Sequence, residues 1–154
     1  MVTQQDRARL LDEALAKVVP ESPRWVRGTS AVIPGASFKP QCWIEITSPV
    51  QPESQRLVAL LRHDGDIQVE YHIATKSGSP FEVLFPLPEN QEAEVIEQVS
   101  LFVADLLAER LVLAYRKSLF NGGRCFLDPK SITESGHKGY RWIVSWLGTY
   151  DWQP

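Results

Sequence analysis

Asn90-Gln91-Glu92-Ala93-Glu94-Val95-Ile96-Glu97-Gln98-Val99-Ser100-Leu101-Phe102-Val103-Ala104-Asp105-Leu106-Leu107-Ala108-Glu109-Arg110-Leu111-Val112-Leu113-Ala114-Tyr115-Arg116-Lys117 is the stretch on which the reading of this chain turns. Val95, Ile96, Val99, Phe102, Val103, Leu106, Leu107, Leu113 and Ala114 recur at three-and-four spacing, the period of one broad apolar helix face that must be buried. Asn90, after Pro86 and Pro88, suits an N-cap. Glu92 and Glu94 fall where the helix dipole favours acids, and Arg116 and Lys117 close the last turn before Gly122 and Gly123. The spacing therefore predicts one long central helix from Asn90 to Lys117.

A second stripe, Leu101, Ala104, Ala108, Val112 and Tyr115, would run down the back of that helix, leaving Glu94, Gln98, Asp105 and Glu109 as a narrow wet seam. A helix of this kind is covered on two sides, by the N-terminal helix, the C-terminal tail or a second protomer of a homodimer. Arg110 projects into the main apolar face, where its stem is read as packed and its head as reaching water.

With 154 residues and 44% hydrophobic content, the chain can bury one sizeable core, and 1–154 reads as a single domain. A formal charge of −3 with singly scattered basic residues argues against a nucleic-acid partner. No apolar run is long enough to span a bilayer, and Met1 to Asp6 lacks the basic and hydrophobic regions of a secretory leader, so a cytoplasmic location without a membrane partner is expected. Cys42 and Cys125 make neither a disulfide framework nor a four-ligand zinc site, and no cofactor is expected.

On the N-terminal side, Thr3 and Asp6 have the spacing of a capping box, and Ala8, Leu11, Ala14, Leu15 and Val18 share one helical face until Pro20. Pro20 to Pro40 reads as an irregular but apolar segment, with a short strand at Ala31 to Ile33. Gln41 to Ser48 alternates Cys42, Ile44 and Ile46 against Trp43, Glu45 and Thr47, the period of a half-buried strand. Leu57 to His63 and Asp66 to Ile73 flank Asp64-Gly65, read as a type I′ hairpin turn. That turn would set Val58 opposite Tyr71 and Leu60 opposite Val69 on the helix side, with Leu57, Ala59 and Leu61 facing His72, Glu70 and Gln68 on the other.

Ala74 to Pro80 is a loop, and Phe81 to Phe85 a further strand ended by Pro86 and Pro88. Beyond the central helix, Gly123 to Asp128 and Tyr140 to Leu147 are expected to pair as a late hairpin around the loop Pro129 to Gly139. Its second strand would set Tyr140, Trp142, Val144 and Trp146 against Arg141, Ile143, Ser145 and Leu147. The expected fold class is α+β: an antiparallel sheet of about five or six strands, with an N-terminal helix and one long central helix packed mainly on one face.

The order helix, strands, long helix, strands resembles that of class I bacterial secretion chaperones and their relatives. These are small acidic α+β proteins, and the resemblance implies dimerisation and the binding of another protein.

The chemistry-bearing residues are few. His63 sits with Asp64 and Asp66 at a hairpin tip, where solvated turn residues are the ordinary occupants. His72, Glu70, Glu45 and Trp43 share a strand face, and offer a carboxylate–imidazole pair or simply the polar side of a sheet. No metal-ligand spacing, no Gly-x-Ser-x-Gly and no cysteine with a neighbouring His is present. Gly122-Gly123-Arg124 and Ser135 to Gly139 read as connections, because neither is followed by a helix whose N-terminus would hold an anion.

The unusual feature is aromatic: Trp142, Trp146 and Trp152, with Tyr140 and Tyr150, crowd the last fifteen residues beside Arg141 and Asp151. Trp, Tyr and Arg dominate interface hot spots, although aromatics dominate cores as well. The expected function is a non-enzymatic protein-binding module of a bacterial cytoplasm, immunity-protein-like or secretion-chaperone-like. Its partner would be a toxin or secreted effector, met through Arg141, Trp142, Trp146, Tyr150, Asp151 and Trp152. A basic partner would suit the acidic chain. The rival is a small enzyme or ligand-binding domain with a pocket between sheet and helix, using Trp43, Glu45, Glu70 and His72.

Overall fold

The computed structural model describes residues 2–19, 25–29, 42–62, 64–74, 80–117 and 123–154, with the backbone alone described at 25–29, 42 and 43. Among the described residues, two antiparallel sheets and three helices make an α+β chain that divides into two compact units, Met1–Val103 and Ala104–Pro154. The expectation of a single sheet is thereby corrected, because the second half of the chain builds a sheet of its own. The expected short strand at Ala31 to Ile33 lies outside the described residues, as do His63 and most of the loop after Ala74.

In the first unit, the strands β1 (Trp25–Thr29), β2 (Cys42–Thr47), β3 (Gln55–Leu61), β4 (Ile67–Ile73) and β5 (Phe81–Phe85) lie side by side in chain order. Arg62 N–H donates to Asp66 O and Gly65 N–H to Arg62 O, with Gly65 at φ +96°. The β3–β4 connection is thus a three-residue loop, not the two-residue I′ turn that Asp64-Gly65 suggested. One extra residue slips the register by one, and a one-residue slip turns a strand over. Leu57, Ala59 and Leu61 therefore pair with Tyr71, Val69 and Ile67, whereas Val58 and Leu60 pair with Glu70 and Gln68.

The helix α1 (Gln4–Val18) starts at the expected capping box, in which Thr3 and Asp6 exchange backbone and side-chain hydrogen bonds, and it buries Leu11 and Leu15. The helix α2 (Glu92–Leu107) begins two residues later than expected. Asn90 is left-handed, at φ 68°, and so stands outside the helix. Val95, Ile96, Val99, Val103 and Leu106 are buried as the spacing required. Phe102 meets Phe85 of β5 with ring centroids 5.7 Å apart, so α2 lies on the sheet face that also carries Tyr71, Val69 and Ile67.

The expected long helix stops at Leu107, ten residues short of Lys117. Glu109 takes the left-handed conformation at φ 54°. Arg110 N–H donates to Asp105 O and Glu109 N–H to Leu106 O, the paired bonds of a Schellman stop. Val112 and Tyr115 consequently belong to a strand, and the continuous back stripe does not exist. Leu101 of that stripe is 55% exposed. Arg110 is not set in an apolar face either, since its Nε lies 2.6 Å from Asp105 Oδ1 at the surface.

The second unit contains β6 (Val112–Arg116), β7 (Gly123–Leu127), α3 (Pro129–Ser135) and β8 (Tyr140–Val144), with strand order β7-β6-β8. Both late strands form, but they do not pair with each other. β6 lies between them, and α3 makes the crossover that two strands antiparallel to a common neighbour require. Asp128 accepts from Lys130 N–H and Pro129 occupies the first turn, so the stretch read as a loop is a capped helix.

Candidate functional site

Two side-chain groupings contain the residues singled out in the sequence, one in each unit. In the first, strand register places Glu45, Arg56, Val58, Leu60, Gln68, Glu70, His72, Glu82 and Leu84 on the sheet face away from Phe85. Glu70, only 3% exposed, accepts from Gln68 Nε2 at 2.9 Å on one oxygen and lies 2.7 Å from His72 Nε2 on the other. Arg62 Nη1 donates in turn to Gln68 Oε1, and Glu45 pairs with Arg56 at 3.6 Å.

The expected His72–Glu70 pair therefore forms, with Glu45 held separately by Arg56; the side chain of Trp43 is outside the described residues. Val58 and Leu60 are fully buried while Glu82 and Leu84 on β5 are exposed, so this face is wetted only toward that edge. Across it runs a connected polar network, buried at Gln68 and Glu70 and partly exposed at His72 and Arg62, in which each carboxylate oxygen of Glu70 has a partner.

In the second unit, one face of the sheet is a core. Val112, Ala114, Ile143, Tyr140 and Ile132 pack together, with Cys125, Leu127, Tyr150 and Trp152 against them. The alternation expected along Tyr140 to Trp146 placed Tyr140 with Trp142. The pairing instead runs Tyr115 to Trp142 and Arg116 to Tyr140, so β8 carries an extra residue, Arg141. This bulge puts Tyr140 on the core face with Ile143, and swings Arg141 to the opposite face beside Trp142.

That opposite face is built by register from Leu113, Tyr115, Arg124, Phe126, Trp142 and Val144. Tyr115 and Trp142 meet with centroids 5.8 Å apart, and the Arg141 guanidinium carbon stands 5.5 Å from the centre of the Tyr115 ring, within cation–π range. Leu113 and Val144 are buried, Tyr115, Phe126 and Trp142 are half-buried, and Arg124 and Arg141 are exposed.

The remaining aromatic-end residues are engaged by the fold. Trp146 is 4% exposed. Trp152 exchanges backbone hydrogen bonds with Ile143 and stacks on His137 at 4.6 Å and 6°. Asp151 Oδ1 accepts from Ser145 N–H, and Tyr150 packs on the core cluster. Of the six C-terminal residues singled out in the sequence, Arg141 and Trp142 share the Tyr115 face.

Tyr115 and Arg124 were missed because one was assigned to the helix back and the other to a glycine turn. The readable signal was the run Leu111 to Tyr115, since a short apolar run fits a buried strand as well as a helix.

Glu109 was also missed. Read as part of the wet seam, it is buried, and its Oε1 accepts from Leu147 N–H at 2.8 Å and Thr149 N–H at 3.2 Å. Burial alone would push its carboxyl pKa up, but the hydrogen bonds from Ser145, Thr149 and Leu147 outweigh that and hold it below its ordinary value. In the first unit Glu92 is lowered as well, by its own backbone N–H at the start of α2 and then by Arg7, whose Nη2 lies 3.1 Å away.

Among the described residues no three His, Cys, Asp or Glu side chains converge as a metal site, and no helix is long and apolar enough to cross a membrane. No protein-family model, curated protein or solved structure matches the chain.

Proposed function

We propose that the chain is a non-enzymatic protein-binding module of a bacterial cytoplasm, of the immunity-protein or secretion-chaperone kind. It engages another protein, a toxin or secreted effector, through the Tyr115 face of its second sheet. The observation that carries this reading is the bulge at Arg141, which sets an exposed guanidinium on Tyr115 beside the half-buried Trp142. Trp, Tyr and Arg are the side chains in which interface energy concentrates, and bulges commonly re-aim a side chain at a working surface.

The rival, a small enzyme on Glu45, Glu70 and His72, is supported by the 2.7 Å imidazole–carboxylate contact. It is disfavoured because Glu70 is engaged on both oxygens and Glu45 is paired with Arg56.

The experiment is affinity capture from native cytoplasm with the wild-type chain, Trp142→Ala and His72→Ala. The binding reading expects one stoichiometric protein with the wild type, lost with Trp142→Ala and kept with His72→Ala. Capture that is indifferent to Trp142 counts against it.

A further inference from the structure

We infer that one end of the second sheet, marked by Arg116, Lys117, His137 and Lys138, binds a nucleotide, with the base stacked on the His137 ring and the phosphate held by the three cations. This site does not rest on the protein-binding reading.

Backbone hydrogen bonds bring these residues together across a separation of twenty positions between Lys117 and His137. Lys117 N–H donates to Gly139 O at 2.8 Å and Tyr140 N–H to His137 O at 3.0 Å, so the end of β6 lies beside the turn that opens β8. Arg116 is paired with Tyr140, on the face of the sheet where Trp152 packs. The His137 ring stacks on Trp152 at 4.6 Å and 6°, and Trp152 is itself anchored by two backbone hydrogen bonds with Ile143. One side of the imidazole is therefore backed by a fixed indole. His137 is nevertheless exposed, which leaves its other side to solvent.

The charge at this end is unanswered. Arg116, Lys117 and Lys138 are exposed, and among the described residues none of them is paired with a carboxylate. Arg7, Arg9, Arg56, Arg62 and Arg110, by contrast, each pair with one. The acids of the second unit are engaged elsewhere: Glu109 holds Leu147 and Thr149, Asp151 holds Ser145, Asp105 pairs with Arg110 and Asp128 caps α3. Glu134, exposed on α3, is the remaining one, and Ser118 to Gly122 contains none. From Arg116 to Arg141 six Lys and Arg stand against two acids, a net of +4 within a chain of −3. Basic residues that look scattered in the sequence are thus gathered by strand register.

The surface is also open. A Cβ added at Gly123, opposite Arg116 on β7, or at Gly136 or Gly139, which flank His137 and Lys138, meets nothing within 4 Å. An exposed ring among cations, with no carboxylate between them, matches a ligand that has both a π-face and a phosphate. An acidic peptide would satisfy the cations and leave the ring unused. A free nucleotide and a nucleotide within a single strand share the required chemistry.

The test is fluorescence anisotropy on the full chain, with fluorescein-labelled pentaadenylate as the probe and AMP, adenosine, inorganic phosphate and hexaglutamate as competitors. Pentaadenylate is expected to bind, and three phosphate contacts predict a loss of about twentyfold in affinity between about 50 and 200 mM salt. Lys138→Glu and Arg116→Glu should each weaken binding about tenfold or more. His137→Ala should weaken it about fivefold or more, while His137→Phe, which keeps a ring on Trp152, should retain most of it. Lys130→Glu, in the first turn of α3, should matter less than Lys138→Glu; near-UV circular dichroism confirms folding of each variant. Competition by AMP that adenosine and phosphate cannot match identifies a free nucleotide as the ligand, and binding of pentaadenylate that AMP does not compete identifies a single strand.

No binding of pentaadenylate up to about 1 mM, hexaglutamate competing as well as unlabelled pentaadenylate, or an affinity indifferent to Lys138→Glu or to His137→Ala each overturns the site. Success of hexaglutamate would mean that the cations serve an acidic polypeptide. Capture of a protein that depends on Trp142 stands or falls separately from all of these results.

Discussion

The carboxylate of Glu109 accepts a hydrogen bond from Leu147 N–H at 2.8 Å, tying the residue that ends α2 to the turn that follows β8. Glu109 also sits in the left-handed region, where a side chain is tolerated at a cost. Removing the carboxylate strands the Leu147 and Thr149 donors, and Glu109→Ala should lower stability by about 2–3 kcal/mol. Glu109→Gly loses the same hydrogen bonds but relieves the backbone, and should recover about 1 kcal/mol of that. Urea denaturation of the three proteins reads both differences.

The same residue sets an acid limit. Because its folded pKa is depressed below the unfolded one, its contribution is fully present above the unfolded value and is lost as pH falls through the folded value. Below the ordinary carboxyl range, about pH 4 to 5, the wild type should lose stability more steeply than Glu109→Gln. Parallel slopes of melting temperature against pH would refute the assignment.

Gly65 is required by its φ of +96°, and an added Cβ would also stand 2.7 Å from Arg7 Nη1, the far end of a flexible side chain that would have to shift. Gly65→Ala should cost about 1–2 kcal/mol. In an Arg7→Ala background the cost should shrink, because the steric part disappears. A double-mutant cycle without coupling would show that backbone conformation alone is responsible.

Trp142 and Trp146, two strand periods apart in sequence, should separate function from fold. Trp146→Ala opens a cavity at a side chain 4% exposed and should cost about 3–5 kcal/mol. The half-buried Trp142 should cost about 1–2 kcal/mol when cut to Ala, leaving a folded protein for binding measurements. Thermal melts of the two variants decide it.

The network on the first sheet makes a further distinction. Glu70→Ala leaves Gln68 and His72 without their buried acceptor and should cost about 2–3 kcal/mol, while Glu70→Gln keeps an acceptor oxygen and should cost well under that. A Glu70→Gln variant that is as stable as wild type but loses an activity would revive the enzymatic reading.

What the sequence revealed was local: the Thr3–Asp6 box, the apolar face from Val95 to Leu106, and most of the strands, each announced by residues a few positions apart. What escaped depends on one-residue events. A glutamate, not a glycine, takes the left-handed stop of α2, so no breaker marks it. The hairpin after Leu61 has three loop residues where Asp64-Gly65 suggests two. The extra residue at Arg141 reverses the alternation of β8, and with it the membership of the candidate face. Asp128-Pro129 carries the cap and proline of a helix start, although Pro129 to Gly139 reads as a hairpin loop once its flanking strands are paired with each other.

The loop between Arg62 and Asp66 has a genetic corollary. The Arg62–Asp66 hydrogen bond closes it from outside, so deleting the Asp64 codon would leave every pair from Leu61–Ile67 to Gln55–Ile73 in place and shorten the connection to two residues, the commonest hairpin length. Deleting a codon inside Gln55–Leu61 instead turns part of the strand over and sets aliphatic side chains on the face of Glu70 and Gln68. In-frame deletions should therefore be tolerated at Asp64 and behave as loss-of-function alleles a few codons earlier.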